Sequence, residues 1–145
     1  MKKKWLAIAG ILAGLGIILG LIVYFFVFNK PHTDYSKSKP EFELSASTLF
    51  DEFKANPEAT AAKYNGKVLA ITGELNGVEQ TDSLTIAVFS FEEGMFGNEG
   101  VRCTMIPEYS EEVLSIPPTT NLTLKGLCTG YNDTDVILEH CSVVK

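Results

Sequence analysis

The least polar stretch of the chain comes first. Trp5 to Phe28 reads WLAIAGILAGLGIILGLIVYFFVF, a 24-residue run without one charged side chain. A helix of that length reaches roughly 36 Å, enough to cross a hydrocarbon core of about 30 Å with some tilt. Trp5 and Tyr24 lie near its two ends, where amphipathic rings favour the interface. A cleaved signal peptide would have an apolar region of about 7–15 residues ending at a small-residue site. Here the run is longer, it ends in Tyr-Phe-Phe-Val-Phe, and no cysteine precedes Cys103 to carry a lipid. The pattern predicts an uncleaved transmembrane helix over 5–28 behind a short tail over 1–4.

Polarity rises at Asn29. Residues 29–45 (NKPHTDYSKSKPEFELS) hold two prolines and no periodic apolar stripe, which predicts a linker with His32 as a solvated loop side chain. Leu49, Phe50 and Phe53 then recur at helical spacing behind Ser47, the best-placed N-cap. Asn56-Pro57 breaks or restarts that helix, and Glu58 to Lys63 adds a short second one. Tyr64-Asn-Gly-Lys67 is a turn.

Beyond the turn the pattern is that of strands. Five are predicted: Val68–Leu75, Ser83–Phe89, Val101–Ile106, Leu122–Thr129 and Val136–Val144. The Gly-rich segment 90–100 (SFEEGMFGNEG) reads as a connection. Ser110 to Ile116 reads as a short helix capped by Ser110 and stopped by Pro117-Pro118. The order is helix, three strands, short helix, two strands. That order predicts a mainly β domain over 46–145: a five-stranded OB-fold barrel with an N-terminal helix and a short helix between strands three and four.

Charge sharpens the picture. Residues 30–145 hold nine of the 12 Lys and Arg and all 18 Asp and Glu, a net charge of −9. Such a surface is repelled by nucleic acid and by anionic headgroups, and no basic cluster follows Lys39. Lys2, Lys3 and Lys4 precede the span. They favour a cytoplasmic N-terminus and an extracytoplasmic domain.

Three segments resemble a known family. NPEATAAKYNGKVLAITG (Asn56–Gly73) is similar to its opening block of helix, Tyr-x-Gly-Lys and strand. TLKGLCTGY (Thr123–Tyr131) and DVILEHCSVV (Asp135–Val144) are similar to its closing hairpin. The family is that of the tRNA-anticodon-binding-like OB-fold proteins, bacterial membrane-anchored proteins and lipoproteins. The resemblance covers roughly 47–145 and implies an OB-fold in the bacterial envelope. Its name implies nucleic-acid binding by fold analogy only.

Candidate chemistry is sparse. Outside the cytoplasm a disulfide is permitted. With Thr134-Asp135 as the turn, Cys128 faces Cys141 across antiparallel strands, within bridging reach. With Asn132-Asp133 as the turn the pair becomes diagonal, and a bridge using Cys103 is a further alternative. Cys103 otherwise reads as a small core residue. Adjacent His140 and Cys141 point to opposite faces of a strand, which opposes a shared zinc, so no metal or cofactor is expected. Asn132 to Asp135 lacks the Gly and distal Glu of a calcium loop. No nucleophile is paired with a base, so the chain does not read as an enzyme.

The OB ligand surface is the face of strands two and three with the loops after strands one and four. By that analogy Thr85, Arg102, Thr104 and Tyr131 are binding candidates. Phe91 and Phe96, on the acidic 90–100 segment, either form a partner-binding tip or fold over an open barrel end. An envelope scaffold contacting a protein partner is therefore the alternative to a small-ligand module. Ala9, Ala13, Gly16 and Gly20 make one small face along the span, a route to a homodimer.

Overall fold

The structure, a computed structural model, describes residues 1–28 and 34–145. His32 and Lys30 lie outside the described residues. The chain divides into two compact units, Met1–Thr33 and Asp34–Lys145.

In the first unit, helix α1 spans Lys2–Phe28. Its Leu, Ile and Ala content favours helix, and it lacks any internal polar group that would compete for the backbone. It is long and apolar enough to cross a membrane and is a candidate span or signal anchor.

The second unit is mixed α/β. It holds β1 (Phe42–Ser45), α2 (Ala46–Ala55), α3 (Pro57–Tyr64), β2 (Val68–Glu74), β3 (Gly77–Thr81) and β4 (Leu84–Gly94). It continues with β5 (Gly97–Met105), α4 (Pro107–Leu114), β6 (Asn121–Tyr131) and β7 (Asp135–Val143). The strands form one seven-stranded sheet in the order β1-β2-β6-β7-β5-β4-β3. The β1–β2 and β5–β7 pairs are parallel and the others antiparallel. Only Leu75 and Asn76 separate β2 from β3, although these strands sit near opposite ends of the order. The Leu75 N–H donates to the Thr120 carbonyl at 2.9 Å, while the Asn76 N–H donates to the Val88 carbonyl at 2.9 Å. Consecutive amides thus bond to opposite flanks of the sheet.

The helices cap properly, though not always where expected. Ser45, not Ser47, caps α2, its Oγ accepting the Thr48 N–H at 3.1 Å. Asn56 caps α3 through Ala59, with Pro57 in the first turn, where its missing N–H costs nothing. Helix α4 starts at Pro107, three residues before Ser110, and Ser110 bonds back to the Ile106 carbonyl. Leu49, Phe50 and Phe53 of α2 are fully buried against Leu69, Ile71, Phe89, Val101 and Leu138. Each such side chain contributes about 1.5–3 kcal/mol as an upper estimate.

Four expectations are corrected. The strands number seven rather than five, in a mixed α/β unit rather than a mainly β one. The residues of the expected linker include β1, because Phe42 and Leu44 turn inward and pack on the core. The 90–100 connection is instead the end of a β4–β5 hairpin, paired through Glu92↔Glu99, Glu93↔Asn98 and Gly94↔Gly97. Finally, Cys128 and Cys141 are not bridged. The turn after β6 has three residues, Asn132 to Thr134, with Asp133 at φ 74°. With a bulge between Cys128 and Gly130, that turn sets Cys128 opposite Leu138. All three cysteines are free and buried.

Candidate binding site

Strand parity decides which side chains of β4 and β5 face outward. Thr85, Ala87 and Phe89 are buried on β4, as are Val101, Cys103 and Met105 on β5. The alternate residues Ile86, Val88, Arg102 and Thr104 form the other face, with Ile86 opposite Thr104 and Val88 opposite Arg102. Ile137 of β7 lies beside Arg102. Thr85, expected on this face, is only 4 % exposed and belongs to the core side.

Arg102 organises the centre. Its Nη1 donates to Glu79 Oε2 at 2.6 Å and its Nε to Asp135 Oδ2 at 3.1 Å. The Glu79 hydrogen bond raises the guanidinium pKa further, with partial burial opposing and Asp135 assisting. Asp135 is itself buried and also accepts the Gly100 N–H at 3.0 Å. The β6–β7 turn delivers it there: Asn132 Oδ1 accepts the N–H groups of Thr134 and Asp135 at 3.1 and 2.7 Å. That turn is an Asx device built by the Asn-Asp-Thr-Asp segment.

Beyond Arg102 the hairpin projects from the sheet. Phe91 stacks at a tilt on Phe50 with centroids 5.8 Å apart. Glu92 and Glu99 face each other across the strands, a repulsive pairing on its own. Lys54 of α2 relieves it by reaching both carboxylates. The Glu92 hydrogen bond is the main cause of its raised pKa. At the tip Met95 and Phe96 are 94 % and 93 % exposed. A small pocket of about 100 Å³ lies below, where Phe96, Asn98 and Glu99 meet Arg102, Thr134 and Asp135.

The structure thus brings Phe96 and Arg102 to one pocket and sets Thr104 on the adjoining face. Phe91 instead anchors the hairpin. Tyr131 is half-buried, stacked on Phe53 at 5.7 Å, with its hydroxyl donating to the Asp133 carbonyl at 3.0 Å. Burial first, then Glu99, raises its phenol pKa. Lys54, Glu79, Asp135, Ile86 and Val88 escaped the sequence reading. For Ile86 and Val88 the parity of the run LTIAVF was the available signal.

A larger groove of about 280 Å³ lies on the β1–β2–β6 side, between Pro40, Ala70, Thr72 and Lys125. Three of its polar side chains are already engaged: Thr72 and Thr123 bond each other at 2.7 Å, and Lys125 donates to the Ser36 carbonyl at 2.6 Å. Among the described residues no group of three or more His, Cys, Asp or Glu is arranged to hold a metal. His140 is exposed at φ 53°, while Cys141 is buried.

Residues 1–143 match the family model described as tRNA_anti-like. The chain belongs to the tRNA_anti-like family. Among solved structures, this tRNA_anti-like chain is similar to a lipoprotein of Klebsiella pneumoniae described as a candidate nucleic acid-binding protein. The two share 18 % identity at a TM-score of 0.56, over 80 % of this chain and 100 % of that one. A candidate aspartyl-tRNA synthetase of Leishmania major shares 11 % identity at a TM-score of 0.47, over 80 % of this chain and 23 % of that one. The aspartyl-tRNA synthetase of Entamoeba histolytica shares 11 % at 0.41, over 74 % and 26 %. The likeness to the lipoprotein speaks for the OB-like fold alone, and the synthetase likenesses are weaker and add nothing to it. No curated protein matches the sequence.

Proposed function

We propose that this tRNA_anti-like protein is a membrane-anchored OB-fold binding module. On this reading α1 is the anchor, Lys2–Lys4 stay in the cytoplasm, and the domain stands outside it. The sheet closes through the β2–β3 bend into an OB barrel, the parallel β5–β7 pair flanking α4 as strands three and five of that fold do. The ligand lies on the outer face of β4 and β5. One observation carries this: Ile86, Val88, Arg102, Thr104 and Ile137 form a continuous, partly open face beside the pocket at the hairpin base.

A photoreactive residue in place of Val88 tests it in intact cells. The expected result is one discrete adduct whose yield falls with Arg102→Ala. Equal adducts from a probe at Glu43, on the far side of the sheet, would contradict it. Added protease should digest the domain in cells with a permeabilised outer boundary and an intact inner membrane; its survival would reverse the orientation.

Nucleic-acid binding is the second reading, favoured by the family's name and by the similar K. pneumoniae lipoprotein, a candidate nucleic acid-binding protein. Charge works against it. The one arginine on the face already holds two carboxylates, and residues 30–145 carry a net charge of −9. Binding of a short single-stranded oligonucleotide at low salt, lost steeply as salt rises, would restore this reading.

A further inference from the structure

Most of the exposed apolar side chains of the second unit are scattered, but Met95 and Phe96 are adjacent and almost wholly in solvent. They also occupy the two turn positions of a β-hairpin, where polar or glycine residues serve the fold better. Nothing in the packing of the domain uses them.

The tip is held firmly. Phe91 on Phe50 and the Lys54 bridge to Glu92 and Glu99 tie the hairpin to α2. The bulge between Ser90 and Glu92 sets its direction. These ties fix the backbone beneath the pair, so its burial costs side-chain freedom but little backbone freedom.

The acidic setting of the tip argues against an anionic lipid surface.

Charge then selects the partner. Glu92, Glu93 and Glu99 lie on the hairpin beside the apolar pair, with Asp135 and Glu79 at its base; Lys54 and Arg102 each engage two of these carboxylates, which leaves the tip acidic, with Glu93 unpaired among the described residues. We propose that the β4–β5 tip is a docking anchor for a polypeptide partner, taking a segment in which an apolar pocket or side chain is flanked by lysine or arginine. This rests on the reading of the domain as a binding module and names the partner chemistry. Met95 and Phe96 supply the buried contact, and Glu93 and Glu99 steer and align the basic flanks.

The test uses the full-length protein in lipid nanodiscs and a fluorescent twelve-residue peptide alternating lysine with leucine and phenylalanine. A glutamate analogue and a single-stranded oligonucleotide serve as comparisons. The lysine peptide should bind at low salt at least about tenfold more tightly than either comparison. Met95→Ser with Phe96→Ser should weaken it about tenfold or more at unchanged melting temperature, since neither side chain supports the fold. Glu93→Lys should weaken it and flatten its salt dependence. Serine variants that bind like wild type overturn the tip as anchor, as does binding of the glutamate peptide or the oligonucleotide to equal extent. A loss confined to Val88→Ser and Arg102→Ala would overturn the tip while leaving the face reading intact. The absence of any adduct at position 88 would remove the face reading separately.

Discussion

Asp135 joins three elements, and removing its carboxylate should be expensive. It is 8 % exposed and accepts the Gly100 N–H at 3.0 Å and Arg102 Nε at 3.1 Å. Asp135→Ala leaves the buried Gly100 N–H without an acceptor, a loss of about 1–3 kcal/mol. Arg102 keeps Glu79 and some water, so its part of the loss is about 1 kcal/mol. The total is about 2–4 kcal/mol. For a folded unit of this size, each kcal/mol moves the melting temperature by about 4 °C, so a fall of about 8–16 °C is expected. Asp135→Asn retains an oxygen for Gly100 and loses only the charge, so its fall should be about 4 °C. Calorimetry of the full-length protein in detergent reads the domain transition without interference from the α1 circular dichroism signal. If the Ala and Asn variants melt together, or if Ala stays within about 2 °C of wild type, Asp135 does not hold the turn to β5 as described.

Other consequences follow from the buried thiols, the hairpin bulge and the span. A thiol reagent should find three free cysteines per chain in non-reducing denaturant and almost none in the native protein; a single one in denaturant would restore an internal bridge. Burial pushes the Cys128 thiol from 9.0 up to about 11. Between those values the folded state keeps a proton that the unfolded state releases, so stability should fall as pH rises from about 9 to 11, by roughly 2–3 kcal/mol. Urea midpoints read this fall, to which the buried Cys141 thiol, also raised by burial, adds; Cys128→Ala should lessen it, and an unchanged slope would assign it to other groups. Gly100→Ala would drive a methyl into the Phe89 carbonyl oxygen, where backbone cannot give way, and should cost about 3 kcal/mol or more. Gly77→Ala meets open space and should melt within about 2 °C of wild type. Gly16→Ile with Gly20→Ile should abolish crosslinked dimers in bilayers if the small face of α1 pairs; unchanged dimer yield removes that pairing.

The sequence showed its elements more clearly than their pairing. The charge-free run over 5–28 and the apolar triad Leu49, Phe50 and Phe53 announced α1 and α2, because burial leaves a plain periodicity. The β1 segment did not, since four residues just after Pro40 carry too short a pattern. Glycine count made 90–100 look like a loop, whereas Gly97 and Gly100 serve a tight turn and a close approach to Phe89 inside a hairpin. Thr85 was misplaced because the outward residues of β4, Ile86 and Val88, are more apolar than two of its inward ones, Thr85 and Ala87. The thiol pairing failed on a single uncounted turn residue and a bulge. Arg102 and Phe96 were legible as candidates, but Lys54, Glu79 and Asp135 join them only through contacts distant in sequence.

The most direct test is hydrogen exchange of the full-length protein in nanodiscs, with and without the lysine-bearing peptide. Protection confined to residues 84–105 and the 131–135 turn is the predicted result, with residues 68–74 and 121–127 unchanged. Protection over the β1–β2–β6 groove instead, or no protection anywhere, would contradict the β4–β5 face and its tip as the binding surface.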